Sequence, residues 1–573
     1  MENAEIAGAF SQLADLMEID GANQFKVRTY RNVARTIEGL AVPIASLRDE
    51  GELTRIPGIG KSVASKIEEL LDTGALKAVQ ELRDKFPSGL LEMLEIPGFG
   101  PKKAGLVYNE LHIESLEQLE AAAQSGLLRD LPGMGPKSEQ NVLRGIELHR
   151  EGRERALLGD ALPVAEALAP EIAKVPGVER VAVAGSARRG KESIGDLDML
   201  AVGEAPSDVT QFLRKLPHIS EVFLAGDTKV SCHLADGTQI DIRVVPPKSF
   251  GAAHQYFTGS MEHNVALRQR AMRRGLKLNE YGVFEEGADK QIAGATEEDV
   301  YAALDLPWIP PELREDQGEI EAAEAGRLPQ LVDMHDIRGD LHMHTTWSDA
   351  EAGIEEMVEG CRARGYEYMA ITEHSQSLTV ARGLSPEQLE EQIAIVRGVN
   401  ERYDDIEILI GAEVDIKPDG SLDYPDELLE QLDVVIAAVH QGFSSDADRI
   451  TSRMIAAMQT GRVHIVSHPT GRLIGKRAPY GLHIEKVIEA AAATDTALEV
   501  NAYPERLDLK DIHCRLAKQA GVKLAICTDA HSVGMLHYMR FGVLTARRGW
   551  IEPGDVVNTM PLARLRRWLR GTR

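Results

Sequence analysis

The chain has 573 residues, 43% hydrophobic and 27% charged, a length beyond what one hydrophobic core supports, so several domains are expected. A formal charge of −26 excludes a protein coated in positive charge and argues against nucleic-acid binding, unless basic residues gather locally as in RRGK (188–191) and RQRAMRR (268–274). Four scattered cysteines without a CxxC pair exclude a disulfide framework or thiolate metal site, and with no leader-like N-terminus or bilayer-length apolar run the expectation is a cytoplasmic monomer with no membrane partner.

The first 150 residues alternate helical patterns with Pro-Gly punctuation, and the punctuation repeats: IPGIGKSVASKI (56–67), IPGFGPKKAGLV (96–107) and LPGMGPKSEQNV (131–142). Glycine permits the tight turn, and the free N–H groups opening the next helix favour an anion, so each copy can grip a phosphate without reading a base. The candidate DNA-binding positions are Gly58, Gly60 and Lys61, then Gly98 and Gly100, then Gly133 and Gly135. One copy alone would be an ordinary helix corner. Three resemble helix-hairpin-helix DNA-binding motifs and imply domains over 1–85 and 86–150.

From about residue 178 short apolar runs bounded by Gly, Asp or Pro predict strands, expected to form an antiparallel sheet. Within GSARRGKESIGDLDML (185–200), residues i and i+2 of a strand share a face, so Asp196 and Asp198 present two carboxylates together. TQIDIRVVP supplies Asp241 from a neighbouring strand. Three carboxylates suit a pair of Mg²⁺ or Mn²⁺ ions that clamp the attacking and leaving oxygens in phosphoryl transfer. The Gly185–Ser186 turn and the forked donor of Arg189 then suit a triphosphate. A lone DxD is usually a solvated turn; here the surrounding motifs agree with the metal reading.

This stretch resembles the nucleotidyltransferase fold and, more narrowly, the family X DNA polymerases, whose GS…RR…GDxD and IDIR motifs it matches, with Gly195 opening the GDxD. The resemblance implies a palm over 151–248 and a nucleotide- and base-pair-binding subdomain over 249–314. There Tyr256, Phe257 and Gly259 fall where the family recognises the sugar of the incoming nucleotide, and Asn264 and Arg268 match its minor-groove contacts. It also implies a small N-terminal domain that binds a 5′-phosphate and removes a deoxyribose phosphate through a Schiff base. Lys66 holds the matching nucleophile position with Tyr30 and Lys26 as neighbours, while one phosphate-binding lysine of the family is Ser62 here, beside Lys61. Gapped or primer-template DNA and dNTPs are the implied substrates.

The acidic segment after PWIPP reads as a linker over 315–335, followed by a domain over 336–573. That domain is a series of apolar runs, each ending in a potential metal ligand, with helical patterns between most of them: DLHMH, YMAITEH, ILIGAE, VVIAAVH, HIVSH, ALEVN and LAICTDAH. Repeated strand–helix units predict a parallel barrel whose strand ends meet on one face. His342, His344, Asp349, His374, Glu413, His440, His468, Asp529 and His531 are nine N and O donors without a thiolate, suited to two or three Mn²⁺, Zn²⁺ or Fe ions. Arg382, His440 and Arg472 are further candidates to meet substrate phosphate. The set resembles the polymerase-and-histidinol-phosphatase (PHP) domain and implies metal-dependent phosphoester hydrolysis: a 3′→5′ exonuclease, with trimming of blocked 3′ ends or abasic sites.

The expected architecture is multidomain: an α-helical N-terminal helix-hairpin-helix domain, an α+β nucleotidyltransferase palm with fingers- and thumb-type subdomains, and a C-terminal distorted (β/α)7 PHP barrel. Two other readings keep the polymerase with a barrel that is structural or acts on small phosphate esters, or treat the whole chain as a DNA-binding scaffold with vestigial sites.

Overall fold

The computed structural model describes residues 3–571 except 39, 41–43, 50, 84, 97–98, 137, 141, 144–145, 147–154, 204–205, 214, 216–218, 226–227, 235–236, 288–289 and 444. Two compact units emerge, Met1–Glu154 and Arg155–Arg573.

The described residues of the first unit are helical, around one apolar cluster containing Phe10, Leu16, Ile37 and Ile67 and a second containing Leu90, Phe99, Val107 and Leu128. The three Pro-Gly turns share one hydrogen bond, donated by Ile59 N to Ile56 O, Phe99 N to Ile96 O and Met134 N to Leu131 O, each 3.0 Å long. Ile59, Phe99 and Met134, the apolar residues between the paired glycines, are buried and anchor each turn. Gly58 and Gly133 take φ of +86° and +78°, where a side chain is disfavoured. Gly60 and Gly100 begin the helices Lys61–Thr73 and Pro101–Leu111 without a side-chain cap, which leaves first-turn N–H groups for an outside acceptor. Gly98 lies outside the described residues.

The second unit opens with the helix Leu158–Ala173, which packs on a five-stranded sheet: β1 (Val178–Val183), β2 (Asp196–Gly203), β3 (Ile219–Ala225), β4 (Lys229–Leu234) and β5 (Gln239–Val245). The order is β1-β2-β5-β4-β3. The sheet is not purely antiparallel, as the strand pattern suggested: β2 and β5 run parallel, because the β3–β4 hairpin intervenes and returns the chain beside β2 in its own direction. That pairing sets Asp198 opposite Asp241. The helices Phe250–Thr258 and Met261–Arg273 follow, then a three-stranded antiparallel sheet of β6 (Leu276–Asn279), β7 (Gly282–Glu285) and β8 (Gln291–Ala293), and the helix Glu297–Ala303.

Residues 315–335 are not the free linker that their acidity suggests. Glu319 and Val332 are fully buried, the helix Glu319–Glu324 packs through Ile320 and Ala323, and His263 Nδ1 lies 2.6 Å from Glu319 Oε1. Glu315 and Glu319 are spent on internal arginine and histidine partners rather than on water.

Seven parallel neighbours follow in chain order: β9 (Gly339–Asp340), β10 (Tyr368–His374), β11 (Glu407–Asp415), β12 (Val434–Ala438), β13 (Ile465–Val466), β14 (Ala497–Asn501) and β15 (Leu524–Cys527). A parallel bridge between Met343 and Ala530 joins the chain after β9 to that after β15, so the barrel is nearly closed. Both strand faces are covered, which explains the continuous apolar runs. One face packs with Leu565 and Leu569 of the final helix Leu562–Gly571; the other packs beneath the surrounding helices. Phe541, on the barrel helix Met539–Arg548, is fully buried in the palm core, where truncation to Ala should cost about 3–5 kcal/mol. No described helix is long and apolar enough to cross a membrane.

Candidate active sites

In the palm, Asp196, Asp198 and Asp241 each offer an oxygen within 4.8 Å of the others. Burial, then the neighbouring Asp196 and Asp241 charges, pushes the Asp198 carboxyl up to about 7, and burial raises Asp196 as well. Crowded carboxylates, Asp196 and Asp198 among them resisting ionisation, are what a divalent cation stabilises. Lys229 on β4 partly answers the charge by pairing with Asp241, and Gln239 Nε2 donates to Asp241 Oδ1 at 3.1 Å. Sequence reasoning missed Lys229, the first residue of β4.

Gly185, at φ +65°, packs so closely on Asp198 that an added Cβ would collide with the carboxylate. The turn it opens carries Ser186, Arg188 and Arg189. Arg188 makes a bidentate pair with Glu297 at 2.7 and 2.8 Å. Arg189, expected to meet a triphosphate, donates from Nε to Glu315 Oε1 at 2.9 Å and from Nη1 to Thr258 O at 2.6 Å. Gly195 is exposed and lies beneath Arg155, whose Nη1 would stand 3.0 Å from an added Cβ.

Tyr256 and Phe257 end the helix Phe250–Thr258 in an edge-to-face pair, with Arg243 over Phe257 and Arg268 6.0 Å from the Tyr256 ring centre. Asn264 differs from its expected groove contact: it is buried, accepts from Gln255 Nε2 at 2.8 Å and donates to Tyr256 O at 2.6 Å and Gly259 O at 3.2 Å. It pins the Tyr256–Gly259 turn from below.

In the helical unit, Lys66 lines a pocket of about 250 Å³ with Tyr30, Asp20, Glu81, Lys85 and Met17. Burial raises the Tyr30 phenol. Lys26 and Lys61 are exposed, and Lys26 is not among that pocket's lining residues.

The barrel gathers its donors at the strand ends. His344, Asp349, His374 and His531 form one cluster, His342, His344 and Asp529 a second, and His374, Glu413 and His440 a third. The ninth residue, His468, joins through Nε2, 3.1 Å from Glu413 Oε1. Burial would raise Glu413, but His440, His342 and His374 outweigh it and hold the carboxyl well below its usual range. Burial lowers the His344 imidazole to about 3. Burial would lower His531, but hydrogen bonding to Asp349 together with the Asp529 and Asp349 charges outweighs it and lifts the imidazole to about 9.

Four buried donor atoms, His344 Nδ1, His374 Nδ1, His468 Nδ1 and Glu413 Oε2, have no hydrogen-bond partner among the described residues. His374 Nδ1 and Glu413 Oε2 are 2.8 Å apart yet not aligned for a hydrogen bond, and the Nε2 atoms of His342 and His344 face each other at 3.2 Å. Orphaned, convergent donors are costly in a core unless cations satisfy them, so the set fits a multinuclear metal centre.

Outer residues orient these ligands, and sequence reasoning passed over them. Glu499 on β14 lies 2.7 Å from His342 Nδ1 and accepts from His468 N at 2.6 Å; Asp415 on β11 lies 2.6 Å from His440 Nδ1. Each fixes an imidazole tautomer. Asp415 had a signal, two residues after the ligand Glu413 on the same strand; Glu499 sits on β14, which carries none of the nine ligands. Arg472, expected near substrate phosphate, is buried and spent on Arg506 O, Leu507 O and Glu192, so it braces the loop after His468 instead. Arg382 is exposed, with φ +57°.

Family models match in the order of this architecture: helix-hairpin-helix domain over 1–76, SAM-like helix-hairpin-helix tandem over 90–147, DNA polymerase beta thumb over 253–315 and PHP domain over 340–502. The DNA polymerase/3′-5′ exonuclease PolX of Bacillus subtilis (strain 168) is 39% identical over 574 residues, covering 100% of both chains. The chain belongs to the PolX family. Rat DNA polymerase lambda is 26% identical over 55% of this chain and 56% of its own length. A probable phosphatase of Thermoanaerobacter sp. (strain X514) is 30% identical over 34% of this chain and 78% of its own length. PolX membership thus joins a polymerase half and a PHP half in one polypeptide, as the two clusters of acidic and histidine ligands require.

Proposed function

We propose that this DNA polymerase/3′-5′ exonuclease joins nucleotides at Asp196, Asp198 and Asp241 while filling short gaps during DNA repair, and cleaves 3′ ends at the nine-ligand centre of the barrel. The observation that carries the reading is that two separate donor clusters, one all carboxylate and one rich in imidazole, sit in a chain related to PolX along its whole length. The carboxylates suit Mg²⁺ or Mn²⁺; the barrel set suits two or three Mn²⁺, Zn²⁺ or Fe ions. Ions held there would neutralise charge developing on phosphorus and lower the pKa of bound water in the barrel.

The protein's own groups bind and orient. The Gly185–Ser186 turn offers backbone donors beside Asp198, Arg189 offers its guanidinium to a triphosphate, and Asn264 holds the turn carrying Tyr256, Phe257 and Gly259 under the incoming sugar. Arg268, beside Tyr256, suits the minor groove. The hairpin N–H groups at Gly58–Lys61, Gly98–Gly100 and Gly133–Gly135 hold backbone phosphates of gapped or primer-template DNA. Lys66, with Tyr30 lining the same pocket and Lys26 the further residue matched to the family's site, is read as the amine that condenses with the aldehyde of a 5′-deoxyribose phosphate, releasing water. The protein is read as a cytoplasmic monomer that uses dNTPs.

The test separates the two halves. Asp198→Ala should abolish single-nucleotide gap filling and leave Mn²⁺-dependent degradation of a labelled 3′ end intact, while His342→Ala/His344→Ala does the reverse. Loss of both activities together in either variant, with folding intact, would reject the assignment of sites. A His342→Ala/His344→Ala protein that still degrades 3′ ends but loses phosphatase activity on small esters would favour the barrel as a small-molecule phosphatase.

A further inference from the structure

The loop 185–192 between β1 and β2 is gripped by the barrel. Gly190, at φ +67°, comes so near the helix Met539–Arg548 that an added Cβ would lie 3.1 Å from Leu544 Cβ. Arg548, four residues on, donates from Nη1 to Arg189 O at 3.1 Å and to Glu315 Oε1 at 2.9 Å, and its Nη2 pairs with Asp511 at 2.8 Å. The same Glu315 oxygen accepts from Arg189 Nε, while Thr258 O takes Arg189 Nη1. Arg189 is therefore held at its main chain, at Nε and at Nη1. Beyond it, Glu192 pairs at 2.7 Å with Arg472, four residues after the barrel ligand His468.

Arg189 and Glu315 are 11% exposed and Arg548 9% exposed. Arg189, Arg548 and the more exposed Lys191 face Glu315 and Asp511 in this network, yet buried ion pairs of this kind seldom stabilise a fold more than apolar residues of the same size would. Their distinguishing effect is orientation. A free arginine loses several rotors when it closes on phosphate, whereas one already fixed on three sides loses little.

We infer that the barrel completes the polymerase's nucleotide site: Arg548, acting through Glu315, is a positioning residue for Arg189. This rests on the reading of Arg189 as a ligand of the triphosphate.

The experiment is steady-state single-nucleotide gap filling by the full-length protein with varied dNTP. Glu315→Gln and Arg548→Met should raise KM for dNTP about tenfold, the worth of one charge-assisted hydrogen bond, with kcat within about twofold. Degradation of a labelled 3′ end with Mn²⁺ should not change, and Arg548→Lys should restore most of the KM. Glu315→Gln decides the matter alone if Arg548→Met fails to fold. An unchanged KM in folded Glu315→Gln, or parallel loss of both activities, overturns the inference. Arg189→Ala tells the two readings apart: if it leaves KM unchanged, the triphosphate role of Arg189 fails; if it raises KM while Glu315→Gln does not, only the positioning role fails.

Discussion

Asp198 faces Asp241 directly across the parallel pair of β2 and β5, with the Gly185 backbone pressed against the Asp198 carboxylate. The first consequence is a pH dependence. Burial and its acidic neighbours raise the Asp198 carboxyl to about 7 from an ordinary 3.8, so folding favours its protonated form. In the ion-free protein that contribution is fully present below about 3.8 and is lost as pH rises through about 7. A divalent ion needs the carboxylates charged, so its affinity should rise over the same window. Melting temperatures measured from pH 4 to 8 with EDTA and with Mg²⁺ should diverge as pH approaches 7, and Asp198→Asn should flatten that divergence. A gap that does not vary with pH would sink this account.

Gly185→Ala tests the close approach. A left-handed φ costs a residue with a side chain about 1–2 kcal/mol, and the new methyl group must displace the Asp198 carboxylate. Gap filling should fall by at least about tenfold, since about 1.4 kcal/mol is a factor of ten in rate. Exonuclease activity, housed in the barrel, serves as the internal control and should be retained.

Glu499→Gln and Asp415→Asn address the residues that orient His342 and His440. Removing such an outer carboxylate typically weakens metal affinity or activity by about 10–100-fold. Mn²⁺ titration of 3′-end degradation should show the midpoint moving by that order, with gap filling unaffected. An unshifted midpoint would mean that the imidazoles are held by the strands alone.

For Lys66 the readout is covalent. Borohydride should trap the wild-type protein on DNA carrying a 5′-deoxyribose phosphate, and Lys66→Ala should reduce the adduct to background. If trapping persists in that variant, another amine lining the pocket, Lys85 first, is the nucleophile.

Much of the architecture was legible before any coordinates. The seven apolar runs correspond to the seven parallel strands, and the spacing of Asp196 and Asp198 put both on one strand, because strand alternation is set within two residues. Three repeats of P-G-Φ-G revealed their turns because glycine and proline act locally on φ. What misled was charge. Glu315 and Glu319 look solvated in a stretch with few apolar residues, but their partners Arg189, Arg548 and His263 lie far away in sequence. Asn264 and Arg472 matched expectations of substrate contact by their place near motifs, yet both are consumed by backbone carbonyls that only folding delivers.

Residue order by itself determined the donor types, their spacing along each strand and the points where the chain turns, since these follow from covalent geometry and from neighbours a few positions apart. Only the tertiary structure decided that β5 returns parallel to β2, that five imidazoles surround Glu413, and that a barrel arginine braces the polymerase loop. Those outcomes depend on which distant surfaces exclude water from one another, and charge pairing under burial is fixed by that exclusion rather than by proximity along the chain.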